Sequence, residues 1–144
     1  MTPMGTRKDR YDNPLLERYA SPEMAHLFSP DFKFSTWRRL WLALAEAEKD
    51  EGLAITEGQL AEMRAHLTDI DYAFAEAKER EVRHDVMAHV HTFAQAAPSA
   101  APILHLGATS ADIGDNTDLI QMKDGLKLLR TKILGVLWHL RAFA

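Results

Sequence analysis

The sequence predicts an all-α fold in which a small domain of short helices leads into the first long helix of a helical bundle. Three observations predict it. Apolar residues recur at intervals of three and four along much of the chain, helix caps separate these stretches, and the last thirty or so residues carry an unbroken heptad pattern. A chain of 144 residues is long enough to bury one core.

The polar N-terminal residues and the first two helices begin the chain. Residues 1–14 are expected to form a mobile arm, and Ser21-Pro22 is typical of a helix start. The next helix is expected to begin after a cap at Ser35 or Thr36 and to end at Gly52. Its buried face has the spacing of an amphipathic helix and comprises Trp37, Leu40, Trp41, Leu44 and Ala47.

Three shorter helical stretches follow. A capping box over residues 56–59 predicts the start of the first, residues 69–81 form the second, and residues 84–97 form the third. The proline-bounded segment 98–102 is expected to be a loop, and Gly107 is expected to break the short apolar segment after it.

The last helix carries two apolar series with a spacing of seven, the second three positions after the first. Further apolar residues widen this seam, Leu119–Phe143, as in a multi-helix bundle, and Gly125 and Gly135 suit the close approach of another backbone. We expect the helix to bundle with copies of itself or to belong to the front portion of a longer protein, because no stop signal precedes Ala144. The two series are Leu119, Leu126, Ile133 and Leu140, and Met122, Leu129, Val136 and Phe143.

Composition excludes several classes of function. A net charge of −4 argues against nucleic acid as the main partner. The lack of cysteine excludes disulfides, thiolate catalysis and cysteine-based metal sites, and it fits a cytoplasmic protein. No signal peptide and no membrane-spanning run is visible.

Two short stretches concentrate the reactive side chains. Arg83-His84-Asp85 stands at one predicted helix start, and His105 precedes Thr109-Ser110 at the start of the long helix. Free backbone N–H groups at helix starts favour an anion, and a histidine there can move a proton. The hydroxyls are equally suited to plain helix capping. Arg18-Tyr19 offers a guanidinium for a phosphate, although both residue types are common without such a role.

The histidine spacing does not favour a metal site. His84 and His89 are five residues apart, rather than the four that place two ligands on one helical face. His84 and His91 share a face but lie about 10.5 Å apart along the axis, too far for one zinc ion. His89 and His91 are as readily core residues as site residues. The remaining lone histidines, expected to be surface or satisfied interior residues, are His26, His66 and His139.

These motifs resemble those of the adenylosuccinate lyase family in the fumarase/aspartase superfamily. The resemblance rests on residues 83–90 and 105–110, with support from residues 18–24, 37–41 and 114–118, and it covers nearly the whole chain from Pro14 onward. It implies an N-terminal helical domain at residues 15–111 and the start of a bundle domain at residues 112–144. It also implies a homotetramer in which each active site draws on three subunits.

The resemblance implies a β-elimination that breaks a C–N bond. Family members release fumarate from adenylosuccinate to leave AMP, and from a succinylated aminoimidazole carboxamide ribotide, in purine biosynthesis without metal or organic cofactor. The residues implied to meet the substrate are Arg18 and Tyr19 at the phosphate end, Arg83, His84 and Asp85 along the pocket, Thr109 and Ser110 at a succinyl carboxylate, and His105 nearby.

The family's catalytic acid, a histidine, and its serine base belong to later motifs, which would lie beyond Ala144 and have no counterpart in this chain. The 144 residues alone are therefore expected to be inactive, with His84 in a supporting role. Two alternatives remain open: a non-catalytic helical module that self-associates through the seam, and a related fumarate-releasing lyase such as argininosuccinate lyase. Arg18-Tyr19 together with the Arg-His-Asp run disfavours the second alternative.

Overall fold

The computed structural model describes residue 16 and residues 18–144, so the predicted arm at residues 1–14 lies outside the described part. Within that part the all-α prediction is confirmed, because every regular element is a helix. No helix there is long and apolar enough to cross a bilayer. The α-helices are α1 (Pro22–Leu27), α2 (Pro30–Asp50), α3 (Glu57–Ala65), α4 (Tyr72–Val82), α5 (Asp85–Ala96) and α6 (Ser110–Phe143).

Helix α2 begins earlier than predicted. Ser29 caps it by accepting a hydrogen bond from the backbone N–H of Phe32 at 3.2 Å, and Pro30 takes the first helical position. The predicted start at Ser35 or Thr36 is wrong, because both residues lie inside α2 and their hydroxyls donate to the carbonyl oxygen of Phe32. The true signal is a second Ser-Pro pair like the one that correctly predicts α1.

The starts of the next helices follow their capping residues. Thr56 and Gln59 form the predicted capping box, with the Thr56 N–H donating to Gln59 Oε1 at 2.9 Å. Helix α4 begins after Asp71, which accepts from the Phe74 N–H at 2.9 Å. The predicted loop at residues 98–102 is instead a 3-10 helix, Pro98–Ile103, whose residues Ala100 and Ile103 are buried.

The core lies between α2, α3, α5 and the 3-10 helix. Trp37 and Trp41 of α2 pack with Met63 of α3 and Phe93 of α5, and all four are almost fully buried. Burial of aromatic side chains of this size is the main stabilising contribution available to a small domain. The core therefore holds together the helices whose ends carry the candidate site.

Arg38 is buried beside this core. Its guanidinium lies 4.6 Å above the ring centre of Phe93 and donates to Asp69 Oδ1 at 3.1 Å and to the carbonyl oxygen of His66. Burial lowers the pKa of Arg38, but the nearby carboxylate opposes that shift. A buried charge needs such partners, so this cluster ties α2 to the connection between α3 and α4.

The long helix α6 has two dissimilar parts, which we call the proximal half (residues 110–125) and the distal half (residues 126–143). The proximal half packs against α1 and α2 through residues spaced by four: Ile113, Thr117, Gln121 and Gly125. The Gln121 amide also donates to the carbonyl oxygen of Leu27 at 2.9 Å. No residue of the distal half is buried. Every member of the two predicted apolar series is at least 47% exposed.

Candidate functional site

The two predicted motifs meet at one contact. His84 is the N-cap of α5, and its Nδ1 accepts from the backbone N–H of Met87 at 3.3 Å. Its Nε2 lies 3.1 Å from Oγ of Ser110, the first residue of α6. The fold therefore joins residues 26 positions apart at the meeting point of two helix starts.

The partners of His84 decide which ring nitrogen carries the proton. A backbone N–H is only a donor, so Nδ1 of His84 is the acceptor and the neutral ring carries its proton on Nε2. Nε2–H then donates to Ser110 Oγ. A nucleophilic serine would need the opposite arrangement, with an unprotonated nitrogen accepting from the hydroxyl. The pair is therefore suited to binding rather than to acyl transfer.

His105 lies beside this pair in a left-handed backbone conformation, with φ 60°. Its Nδ1 accepts from the indole N–H of Trp41 at 3.1 Å. Burial lowers the pKa of His105, the Asp112 carboxylate opposes this shift, and His84 adds to it. The imidazole of His105 is thus held in its neutral form near neutral pH.

Thr109 acts as the N-cap of α6. Its backbone N–H donates to Asp112 Oδ2 at 2.8 Å, and the Asp112 N–H donates back to the Thr109 carbonyl oxygen at 3.1 Å. The N–H of Thr109 is therefore used within the chain rather than left open for a ligand. Of these two hydroxyl residues, Ser110 is the one whose Oγ lies within hydrogen-bonding distance of a histidine, His84.

The other members of the Arg-His-Asp run are exposed. Arg83 ends α4 with φ 53°, a left-handed conformation that is uncommon for arginine, and it borders a shallow cleft of about 490 Å³ with Glu76, Glu79 and Arg80. Asp85 Oδ1 accepts from the N–H of the following residue at 2.8 Å and lies 3.7 Å from His84 Nδ1. Arg83, His84 and Asp85 thus lie together at the connection between α4 and α5.

Arg18 and Tyr19 are exposed and make no contact with this cluster within the described residues. Helix α1, which follows them, packs on Gln121 and Gly125. Those residues lie roughly 17–23 Å along the α6 axis from Ser110, at 1.5 Å per residue. The structure therefore does not bring Arg18-Tyr19 together with the two helix starts.

The far end of α6 is also remote from the two helix starts. Ala144 is the exposed C-cap of α6, and its backbone N–H donates to the carbonyl oxygen of Leu140 at 3.0 Å. At 1.5 Å per residue, Ala144 lies roughly 50 Å along the helix axis from Ser110. Ala144 is therefore remote from the two helix starts of the same chain. The expectation that the catalytic acid and base follow it in sequence stays a prediction.

The remaining histidines are sorted by burial. His89 is in the core, stacked on Phe34 at 3.7 Å, and burial together with Arg38 and Lys33 lowers its pKa to about 4. His66 pairs through Nδ1 with Asp69 at 2.6 Å. Across residues 18–144, no three His, Asp or Glu side chains form a group able to hold a metal. The exposed histidines are His26, His91 and His139.

Trp41 and Glu48 of α2 lie beside the turn at residues 105–107 but were not predicted to do so. Trp41 was predicted only as a core residue, and nothing was predicted for Glu48, seven positions later. Gly107 confirms the predicted break with φ 64°, and a Cβ added there would lie 3.6 Å from Glu48 Oε1. Burial raises the pKa of Glu48, and its buried Oε2 has no hydrogen-bond partner in the described part of the chain. Glu48 lies seven positions after Trp41 and therefore on the same face of α2. That shared face was the sequence signal that could have linked Glu48 to the turn at Gly107.

Comparison with known proteins confirms the predicted resemblance. No family model matches the chain. Adenylosuccinate lyase of Schistosoma mansoni is 52% identical over 87% of this chain, and that of Saccharomyces cerevisiae is 50% identical over 94%. The enzyme of Schizosaccharomyces pombe is 46% identical over 91% of the chain. The chain spans 26–29% of the length of these three curated relatives.

Proposed function

We propose that this chain, which its sequence places in the adenylosuccinate lyase family, is the N-terminal part of such a lyase. Identities of 46–52% to three adenylosuccinate lyases support this reading over argininosuccinate lyase. The intact enzyme would cleave adenylosuccinate to AMP and fumarate, and would release fumarate from the succinylated aminoimidazole carboxamide ribotide. The cysteine-free composition fits a cytoplasmic location.

In this elimination a base removes the proton next to a succinyl carboxylate, the C–N bond breaks, and an acid protonates the departing nitrogen. The segment described here supplies groups that bind and orient. The observation that carries the proposal is the 3.1 Å contact between His84 Nε2 and Ser110 Oγ, since it gathers both motifs at one place. The Ser110 hydroxyl accepts from His84 and therefore keeps its own O–H to donate to a bound carboxylate.

We assign the substrate contacts as the motifs suggest. Ser110 and Thr109 would hold a succinyl carboxylate, the Arg83-His84-Asp85 turn would line the pocket, and His105 would lie near it. Arg18-Tyr19, which the structure leaves apart from these helix starts, would contact the phosphate end of the substrate. The general acid and base would come from parts of the relatives' length that this chain does not span, so the chain alone should release no fumarate. Sustained fumarate release by the purified 144 residues would contradict this division of labour.

Replacing His84 with Ala in the full-length lyase tests the assignment. We expect the turnover of adenylosuccinate to fall about 100-fold or more, because the donor to Ser110 and the orientation of its hydroxyl are lost together. Helical content by circular dichroism should change little. His91→Ala is the matched control, since His91 is an exposed histidine of the same helix α5. Equal activity of the two variants would remove His84 from the site.

We further propose that the seam Leu119–Phe143 binds copies of the same chain. Exposed apolar residues of this size at regular helical spacing are typical of an interface. Replacing Leu126 and Ile133 with Glu should lower the molecular mass in sedimentation experiments without unfolding the domain, because neither residue is buried. A seam that associates while the full-length protein shows no lyase activity would instead favour the non-catalytic module.

A further inference from the structure

Trp41 makes a polar contact that its place in the core does not require. The side chain is 1% exposed and packs against Trp37 and Phe93. Its indole N–H nevertheless points out of the core and donates to His105 Nδ1, 64 positions away in sequence, at 3.1 Å. The two rings meet edge to face, with centres 6.0 Å apart.

An indole nitrogen is only a donor, so Nδ1 of His105 is the acceptor and the ring proton sits on Nε2. We propose that Trp41 is a positioning residue, whose N–H fixes His105 as the Nε2–H tautomer so that the site meets its ligand with a neutral donor rather than a base. The claim about the tautomer concerns this chain alone. Its link to substrate rests on the proposed function.

The hydrogen bond from Trp41 also restrains the backbone at His105. His105 has φ 60°, a conformation that costs a non-glycine residue free energy and persists only where the surroundings enforce it. The bond from Trp41 holds the ring while Gly107, with φ 64°, turns the chain toward α6. One core side chain thus sets both the ring orientation and its protonated nitrogen.

The Nε2 of His105 is the atom left for a ligand. It makes no hydrogen bond to any described residue, and the side chain is only partly buried. His84 differs in this respect, because its Nε2–H already donates to Ser110. Burial lowers the pKa of His105 even though Asp112 opposes the shift, which supports a neutral ring.

Trp37 provides a matched control. It is also 1% exposed and packs in the same cluster, but its buried indole N–H has no hydrogen-bond partner among the described residues. Trp37→Phe and Trp41→Phe therefore remove the same atoms from neighbouring core positions. Only the second removes a donor from His105.

Nitrogen-15 NMR spectra that correlate each imidazole nitrogen with the ring protons report the tautomer directly. In the 144-residue chain we expect His105 to be Nε2–H at neutral pH, unchanged in Trp37→Phe and mixed in Trp41→Phe. A wild-type ring that carries its proton on Nδ1, or on both nitrogens, overturns the proposal. So does a folded Trp41→Phe variant whose His105 is still purely Nε2–H.

A gentler change covers the case in which Trp41→Phe does not fold. Uniform replacement of tryptophan by its benzothiophene analogue exchanges the indole N–H for sulfur at nearly constant ring size. The other two tryptophans donate to no described residue, since Trp37 is unpaired and Trp138 is exposed. A mixed His105 tautomer in this protein supports the proposal, and an unchanged one contradicts it.

Kinetics of the full-length lyase separate this inference from the proposed function. Trp41→Phe should raise KM for adenylosuccinate about 10-fold or more, as expected for one misplaced donor, with a smaller change in kcat. If Trp41→Phe gives a mixed His105 tautomer but an unchanged KM, the role of the Trp41 hydrogen bond in fixing the tautomer is confirmed and its link to substrate is refuted. Loss of lyase activity in every protein, wild type included, would refute the proposed function and leave the tautomer result standing.

Discussion

The two halves of α6 belong to one continuous helix but have opposite surroundings. The proximal half buries Ile113, Thr117, Gln121 and Gly125 against α1 and α2. The distal half is the more apolar of the two at its exposed positions, yet none of its residues is buried. The half that packs uses one isoleucine with polar and small residues, whereas the half rich in leucine, isoleucine and valine buries none of its residues in the part of the chain that the structure describes.

This difference distinguishes a buried stripe of α6 from an exposed one, and the two have different spacing. The buried stripe is spaced by four and is specific for its neighbours, as the bond from Gln121 to the Leu27 carbonyl shows. The apolar seam is spaced by seven, the repeat that suits another long helix. The proximal half, which begins at Ser110 of the candidate site, therefore holds α6 against α1 and α2, and the distal half carries most of the seam for which we propose association.

A pair of Ile→Ala substitutions should give the largest contrast. Ile113 is 3% exposed and belongs to the core cluster, whereas Ile133 is 57% exposed. We expect Ile113→Ala to lower the free energy of unfolding by about 2–5 kcal/mol, because it leaves a cavity. Ile133→Ala should change it by less than about 0.5 kcal/mol in dilute solution.

Urea unfolding at low protein concentration measures both values. Dilution matters because association through the seam would bury Ile133 and add to its cost. Equal losses for the two variants would mean that the distal half is part of the same cooperative unit as the domain.

Acidification should destabilise the helical core that contains His89 of α5, a core to which the distal half contributes no residue. Burial, Arg38 and Lys33 lower the pKa of His89 to about 4, while Asp85 opposes them weakly. Between pH 6.5 and 4, His89 binds a proton in the unfolded chain but not in the folded one. The contribution of neutral His89 to the free energy of unfolding is therefore present above pH 6.5 and is lost as the pH falls toward 4. The loss should amount to about 3 kcal/mol, at 1.36 kcal/mol per pKa unit.

The comparison protein is His89→Phe, which keeps an aromatic ring against Phe34 but cannot titrate. Both proteins carry Trp138→Phe, so that fluorescence reports only the buried tryptophans Trp37 and Trp41. The urea midpoint of the reference protein should fall more steeply between pH 6.5 and 4 than that of His89→Phe. Parallel curves would show that His89 is not the group responsible.

Local signals predicted most of the helices from sequence. Ser21-Pro22 and the capping box at residues 56–59 act within four residues, so they can be read without the fold. The start of α2 was missed because the hydroxyls of Ser35 and Thr36 suit a cap but bond back to Phe32 inside the helix. The buried stripe of the proximal half was not predicted because Ile113 is the one large apolar residue among its four.

The candidate site divides in the same way. The motifs identify His84 and Ser110, and the structure adds that they touch. The bond from Trp41 to His105 joins positions 64 apart, and the burial of His89 but not His91 depends on where Phe34 falls. Such pairings depend on how helices cross, and no single periodic pattern encodes them.

The smallest contrast concerns the two glycines of α6. A Cβ at Gly125 would meet Leu27, Phe28 and Met24 at 3.6–3.9 Å, ordinary contact distances, and a Cβ at Gly135 would meet nothing within 4 Å. Ala is favoured over Gly in a helix by about 1 kcal/mol. Gly125→Ala should therefore raise the free energy of unfolding by up to about 1 kcal/mol, because its helix half is fastened to the domain. Gly135→Ala should leave that value unchanged and slow amide hydrogen exchange in the distal half alone. Destabilisation by Gly125→Ala would show that α1 approaches too closely for a methyl group. A higher free energy of unfolding for the whole chain in Gly135→Ala would show that the two halves of α6 unfold as one cooperative unit.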